Sequence, residues 1–520
     1  MVGALKVRVG TEWYTVGGGG VLTNVQPEPP PTPVPGDLWF DTDDPAVVVL
    51  TDAAINTAAT TINTSLSTIR RKIFYLSDYV VGNGSNETAG IQAAVTAAAG
   101  GTLVCAANLS VGYAAPVAIL SNTRIVGEAI FTQVAGTVNA AYPQALFYAV
   151  DRTGIRIKDI TINCNFGAAP DGLLNGIFFR GVTNSLVERV TIDAVEHCGI
   201  YLSHGCVGVN VIGNTITGRT GLSGAAESGN PLIYVVSDIY GTNGTNGLMT
   251  EAGAVTFSTA NSLPRVTRRN RIQGNTLLYG THGISLINTM QNTIEGNICE
   301  NNAHRGIILS GSAYNTVNAN VVYLAGSTGI HMAWGCYHNT ISANVVDQTV
   351  GLEGDGIKGY YGVSFNTITG NTVSNVPNAG VRLAVNVLGN VITDNSLYGC
   401  GSGTGGGVQL AGYLSGAYTN PTTYFPTSGN IVTNNRSVNC YNGFQLTSGI
   451  STVTLITRNT VALNIASGCT VGFKSDANAL VLDNVRYMCH AFDNTTNYSD
   501  GGNTYRTANA YIVANDALVP

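Results

Sequence analysis

The motif Asn-x-(Ile/Val)-x-x-Asn recurs eight times in the C-terminal half of the chain, at Asn270/Ile272/Asn275, Asn292/Ile294/Asn297, Asn315/Val317/Asn320, Asn339/Ile341/Asn344, Asn366/Ile368/Asn371, Asn390/Ile392/Asn395, Asn430/Val432/Asn435 and Asn459/Val461/Asn464. A second element, Gly followed by an apolar, a variable and usually another apolar residue, alternates with it at Gly199, Gly283, Gly306, Gly329, Gly380, Gly407 and Gly443. Gly283, Gly306 and Gly329 are 23 residues apart, and the next steps, through Gly356 to Gly380, are 27 and 24. A unit of this length holds two or three short strands and cannot bury a face alone, so successive units must stack, about 4.8 Å apart, to make a core. Each repeat is then one coil of an all-β solenoid. Ile and Leu of Gly-Ile-x-Leu are expected to point inward, and each Asn to hydrogen-bond its equivalents in the coils above and below.

Composition narrows the function. Charged residues are 10% of the chain, Gly counts 64 and the net charge is −6, with no concentrated basic surface of the kind that phosphate binding needs, so a nucleic-acid partner is not expected. No apolar run is long enough to span a bilayer, so no membrane insertion is expected. The ten cysteines have no metal-ligand spacing and read as reduced, buried small hydrophobes. Asp and His are too dispersed for a ligand set, and neither a metal nor a cofactor is expected. Residues 1–10 lack the apolar stretch of a signal peptide, which points to synthesis in the cytoplasm.

Residues 1–50 carry a glycine run at 17–20 and the prolines of a stiff extended linker between Pro27 and Pro35. Within them Gly36-Asp37-Leu38-Trp39-Phe40-Asp41-Thr42 resembles a segment common near the N-termini of phage tail-fibre proteins. Residues 51–72 place Ile55, Ile62, Leu66 and Ile69 at the spacing of a helical seam, either a coiled-coil neck or one amphipathic helix docked on the body. Further on, Ser77-Asp78-Tyr79, Gly82-Asn83-Gly84, Asn86-Glu87-Thr88, Gly90-Ile91-Gln92-Ala93-Ala94 and Gly100-Gly101-Thr102-Leu103-Val104 are similar to the opening segment of the pectate lyase superfamily, found at the start of many phage tail spikes. The match departs at Asn86-Glu87, where an acidic pair is usual, and at Ala106-Ala107-Asn108, where a Pro-x-Gly turn is common. The repeats resemble the pectin-lyase-like coils over about 350 residues. The resemblance implies a right-handed single-stranded parallel β-helix over 73–475, with a capping helix near 87–99 and further coils or a cap over 476–520. Two interruptions, near 219–264 and 411–429, read as protruding loops; the second holds Tyr413, Tyr418, Tyr424 and Phe425.

Residues at one offset from the repeat Gly stack in a column. Two positions after it come His331, Lys358 and Arg382, then Gln409 and Gln445; one position before it come His282, Arg305 and Asp355, with Glu353 close by. In a chain with so few charges this is the candidate site. Glu353 and Asp355 could supply the two carboxyl groups of a glycoside hydrolase. His331, backed by Lys358, Arg382 and Arg305, has the base and cations of a polysaccharide lyase. Five positions after the Gly, Trp334 and Tyr361 form a stacking platform for sugar rings. In the competing reading the patch is structural, with Glu353 and Asp355 paired to Lys358 or Arg382 on a polar or intersubunit face. A second grouping would join Glu188, Asp193, Glu196, Glu295 or Glu300 to His197 or His304.

These readings converge on a phage tail spike or tail fibre, a homotrimer by resemblance, that binds a host-surface polysaccharide and joins other tail or baseplate proteins through its N-terminus. Catalytic roles fall to Glu353, Asp355 and His331, and substrate binding to Arg305, Lys358, Arg382, Trp334 and Tyr361. A non-enzymatic receptor-binding or structural virion fibre on the same fold is the alternative, and a cellular surface or secreted β-helix enzyme is a third.

Overall fold

The structure, a computed structural model, describes residues 5–9, 12–16, 23–26, 60, 72–134, 145–165, 175–195, 197–218, 231–237, 266–351, 353–403, 405–412, 426–447, 456–475, 481–482 and 484–500. The segment 36–42, the seam from Ile55 to Ile69 and the four aromatics from Tyr413 to Phe425 lie outside the described residues. Residues 1–71 are one unit, in which Leu5–Val9, Glu12–Val16 and Thr23–Gln26 form an antiparallel sheet. Residues 72–520 are the other unit.

In the second unit one coil reads Thr316–Asn318, Val321–Tyr323, Thr328–Ala333, and the next Thr340–Ser342, Val345–Asp347, Ile357–Tyr360. Each strand pairs in parallel with its equivalent one coil on, building three long sheets of 15, 15 and 14 strands. In the first two sheets only the middle residue of each triplet faces the core: Ile294, Val317 and Ile341 in one, Cys299, Val322 and Val346 in the other, all fully buried. In the third sheet Ile307 and Leu309, then Ile330 and Met332, project inward as the Gly-Ile-x-Leu pattern requires. A single continuous core results.

The asparagines form two ladders at the bends on either side of the first sheet. Along one, Asn214, Asn275, Asn297, Asn320 and Asn344 each donate the side-chain amide to the next Oδ1 in line at 2.8–2.9 Å. Along the other, Asn270, Asn292, Asn315, Asn339 and Asn366 do the same at 3.0–3.1 Å. The residue ahead of each ladder Asn sits in the left-handed region, as at Ala319 (φ 54°), Ala343 (φ 53°) and His338 (φ 52°). That conformation costs an L-residue roughly 1–2 kcal/mol, and the ladder bonds that the bend makes possible offset it. The repeat Gly has another cause: a Cβ on Gly306 would lie 2.4 Å from Val322, and one on Gly329 would lie 2.3 Å from Val346. The corner between the second and third sheets closes only without a side chain.

The helix Thr88–Ala97 buries Ile91, Ala94 and Val95 against the first coils. Gln92 on this helix takes the place of a missing strand, accepting from the Ala118 N–H at 2.7 Å and donating to the Ala118 carbonyl at 3.1 Å. Val117–Ala118 is the terminal strand of the third sheet, so its open edge is covered. Inside the longer interruption, Pro231–Val236 is a regular strand of the same sheet, between Cys198–Ser203 and His282–Ile287. Strands also continue past 476, through Val485–Tyr487 and His490–Phe492 to Thr496–Asp500. All ten cysteines are free and buried.

Candidate functional site

Arg305–Ser310, Thr328–Ala333, Ile357–Tyr360 and Val381–Ala384 lie side by side in the third sheet. Their register sets His331 beside Lys358 and Lys358 beside Arg382, with Ile308 and Gln409 continuing the column. Since the neighbouring Ile330, Ile357 and Val381 fill the core, this column faces away from it. It is nevertheless largely buried, with His331 5% and Lys358 4% exposed and Arg382 half-buried, and the nearby Asp355 is 0% exposed. The sequence pattern gives the direction of these side chains and misses their cover.

Lys358 joins the two carboxylates. Its Nζ is 3.1 Å from Glu353 Oε2 and 3.7 Å from Asp355 Oδ2, and the latter is also 3.7 Å from Arg382 Nη1. Asp355 Oδ1 accepts from the Ala379 N–H at 3.1 Å. The ammonium beside Glu353 lowers its carboxyl below the ordinary range, whereas burial raises that of Asp355, with Arg382 and Lys358 opposing. Among the described residues His331 has no hydrogen-bond partner on either ring nitrogen. Burial, then the charges of Arg305 and Lys358, hold it well below an ordinary histidine. His304 belongs here too, 5.2 Å from His282 ring to ring, and burial with the charge of Arg305 lowers it to about 4. Repeat alignment missed it because it lies outside the aligned offsets.

Trp334 and Tyr361 stack at 4.6 Å between centroids and 18° between planes. Tyr360 packs edge-on against Tyr361 at 4.1 Å, and Lys358 Nζ lies 5.0 Å from the Tyr360 ring centre, which joins the platform to the charges. Tyr361 also packs against the cluster of Ala384, Val385 and Ala411, and both it and Trp334 are half-buried. On the far side of the same turn is a stack the repeat analysis did not single out: Tyr314 on His338 at 5.1 Å and His338 on Phe365 at 5.6 Å, all exposed. Its signal was present, since each ring immediately precedes a ladder Asn.

The second grouping does not gather around His304. Glu188 pairs with Lys158 at 2.8 Å, and Glu295 with Arg271 at 3.1 Å. Glu196 lies outside the described residues. Among the described residues no group of His, Cys, Asp and Glu could hold a metal ion.

A family profile described as a right handed beta helix region matches residues 175–346. Among solved structures, the tailspike protein of E. coli bacteriophage HK620 in complex with pentasaccharide is 12% identical, covering 84% of this chain and 80% of that one, with a TM-score of 0.52. PfbA, a surface adhesin of Streptococcus pneumoniae, is 13% identical over 81% of this chain and 91% of its own, with a TM-score of 0.46. The periplasmic alginate epimerase AlgG is 12% identical over 77% of each, with a TM-score of 0.41. No curated protein matches the chain. The three parallel sheets and the profile over 175–346 agree on one architecture, and the chain is a right-handed parallel β-helix, the fold it shares with the HK620 tailspike.

Proposed function

We propose that this chain is a virion adsorption protein, a phage tail spike or tail fibre that binds a glycan of the host surface. The observation that carries the reading is the rigid aromatic platform of Trp334 on Tyr361, joined through Tyr360 to the charged cluster around Lys358. A sugar ring offers apolar C–H faces to an indole and hydroxyls to charged groups, so the two parts are complementary to one ligand. The shared fold of the HK620 tailspike, which is in complex with a pentasaccharide, supports this, as does the tail-fibre-like segment at 36–42. Homotrimeric assembly and attachment to the tail through the N-terminus go with the reading.

Glycan cleavage is the second reading, favoured by the opposed displacement of two neighbouring carboxyls. A raised acid next to a lowered one is what hydrolysis uses as acid and base or nucleophile. In a lyase, neutral His331 would take the proton and Arg305, Lys358 and Arg382 would stabilise the charge that develops. Asp355 is fully buried and would have to be uncovered to reach a substrate, which puts adsorption first.

The test is incubation with capsular and cell-wall polysaccharides of candidate hosts, following retention, chain length, reducing ends and absorbance of unsaturated sugars. Retention on a surface polysaccharide is expected. Shortened chains would add the depolymerase, with unsaturated ends choosing lyase over hydrolase. Retention with intact chains would make this a non-enzymatic fibre, and no retention on any surface polysaccharide would overturn the proposal.

A further inference from the structure

Glu353 and Asp355 hold the same ammonium in different ways. Asp355 is internal, fixed by the Ala379 N–H and by Lys358 and Arg382, and works as a permanent counter-ion. Glu353 comes from the surface, its side chain 63% exposed, and among the described residues its carboxylate makes one hydrogen bond, to Lys358. So a buried cation takes its best partner from the solvent side. Beside it, in register on the neighbouring strand, stands a buried imidazole with both nitrogens unbonded. Around them are Arg305, Arg382, His282 and His304, against only those two carboxylates among the described residues.

An ammonium at this depth cannot be left bare, because an unpaired buried charge costs several kcal/mol. Asp355 Oδ2, 3.7 Å away, lies beyond hydrogen-bond distance of Lys358, so a second anion within hydrogen-bond distance completes the pairing. A flexible, exposed glutamate can do so and can also swing back into water at little cost. An incoming anion of similar size would gain the same ammonium and, in addition, the unused hydrogen-bonding capacity of His331.

We infer that Lys358 and His331 form an anion seat, which Glu353 fills in the free protein and yields to an acidic group carried by the bound glycan. That group is a carboxylate, sulfate or phosphate on a sugar whose ring is stacked on Trp334. A neutral glycan that displaced Glu353 would leave the ammonium with Asp355 alone and no anion at hydrogen-bond distance, so the seat selects acidic polysaccharide over neutral by the penalty it imposes on the wrong ligand. Glu353 thus lowers affinity for every acidic ligand by occupying the site. The inference rests on the adsorption reading and gives it a substrate class.

The test is calorimetric titration of the wild type, Glu353→Gln and Lys358→Met with glucuronate, sulfate and phosphate, and with glucose as the neutral control. Retention of the same proteins on acidic and neutral surface polysaccharides is measured alongside. Glu353→Gln is expected to bind glucuronate about tenfold more tightly than the wild type, Lys358→Met to lose anion binding, and glucose to bind all three alike. Glu353 is exposed and Asp355 stays beside Lys358 when it is replaced, so the glutamine variant folds and decides the question even if Lys358→Met does not fold. Equal or weaker anion binding by Glu353→Gln overturns the inference, as does retention on neutral polysaccharides alone, which leaves the adsorption reading standing. Tighter anion binding without retention on any polysaccharide keeps the seat and removes the adsorption reading.

Discussion

Oδ1 of Asn344 accepts two hydrogen bonds from Asn320 in the preceding coil, from its backbone N–H and from its side-chain amide, each 2.9 Å long. The Asn344 amide in turn donates to the Val317 carbonyl at 3.0 Å and to Asn371 Oδ1 at 2.9 Å. All of these groups are buried. Asn344→Ala therefore takes the acceptor from the Asn320 N–H and removes the side-chain bonds to the Val317 carbonyl and Asn371 Oδ1, and at about 1–3 kcal/mol for a buried unsatisfied group a loss of about 2 kcal/mol is expected. Guanidinium unfolding of the variant measures it; a loss under about 1 kcal/mol would show that the ladder follows from stacking and does not stabilise it.

The cysteines should be silent in the native state. Burial pushes the thiols of Cys105, Cys164, Cys206, Cys299 and Cys336 up to about 12, so almost no thiolate forms at neutral pH. A thiol reagent is expected to label none of the ten before unfolding, and reductant should leave the melting temperature unchanged. Rapid labelling of the folded chain would contradict the packing.

Trp334→Ala is expected to weaken glycan retention about tenfold, the equivalent of about 1.4 kcal/mol, because the remaining ring, Tyr361, is already packed against Ala384 and Val385. Trp334→Phe should recover most of the binding, since a flat apolar face is what the sugar uses. Retention isotherms on one polysaccharide separate the two variants. Equal losses in both would point to a hydrogen bond from the indole N–H instead of stacking.

Stability should fall on the acid side. His304 has a folded pKa of about 4 and His331 is held well below the ordinary value, so below about 6.5 the unfolded chain takes up protons that the fold refuses. Each histidine then removes at most about 1.4 kcal/mol per pH unit, between about 6.5 and its own folded pKa. Asp355 acts in the opposite sense, because its raised carboxyl binds a proton more readily in the fold, and this offsets part of the loss at the lowest pH. Melting temperatures from pH 7.5 to 4 are expected to decline, and His331→Phe to flatten the decline. An unchanged slope in that variant would place the acid sensitivity elsewhere.

Why the fold was legible and the site only partly so comes down to repetition. Each Asn of the ladder meets another Asn, and each Gly-Ile-x-Leu meets its equivalent, so the pattern along the chain is also the contact map. His331, Lys358 and Arg382 came out aligned for the same reason. Offsets tell which way a side chain points but not what covers it, so the burial of Lys358 and Asp355 was not readable. Nor was the role of Tyr360, which occupies a position held by Ala333 and Ala384 in the adjacent coils. The ladders themselves begin at Asn214 and reach Asn484, beyond the eight repeats, because one rung needs only one Asn of the motif.

The ladder bond from Asn214 to Asn275 is 2.8 Å long across 61 residues of chain, and that from Asn390 to Asn430 is 2.9 Å across 40, the same as between coils with nothing inserted. The scaffold therefore does not register how much sequence leaves it between two rungs. A change in the number of residues between two rungs is expected to leave the geometry of the rungs unchanged. Under the adsorption reading proposed above, that separates the part that must stay fixed from the part free to follow a changing target.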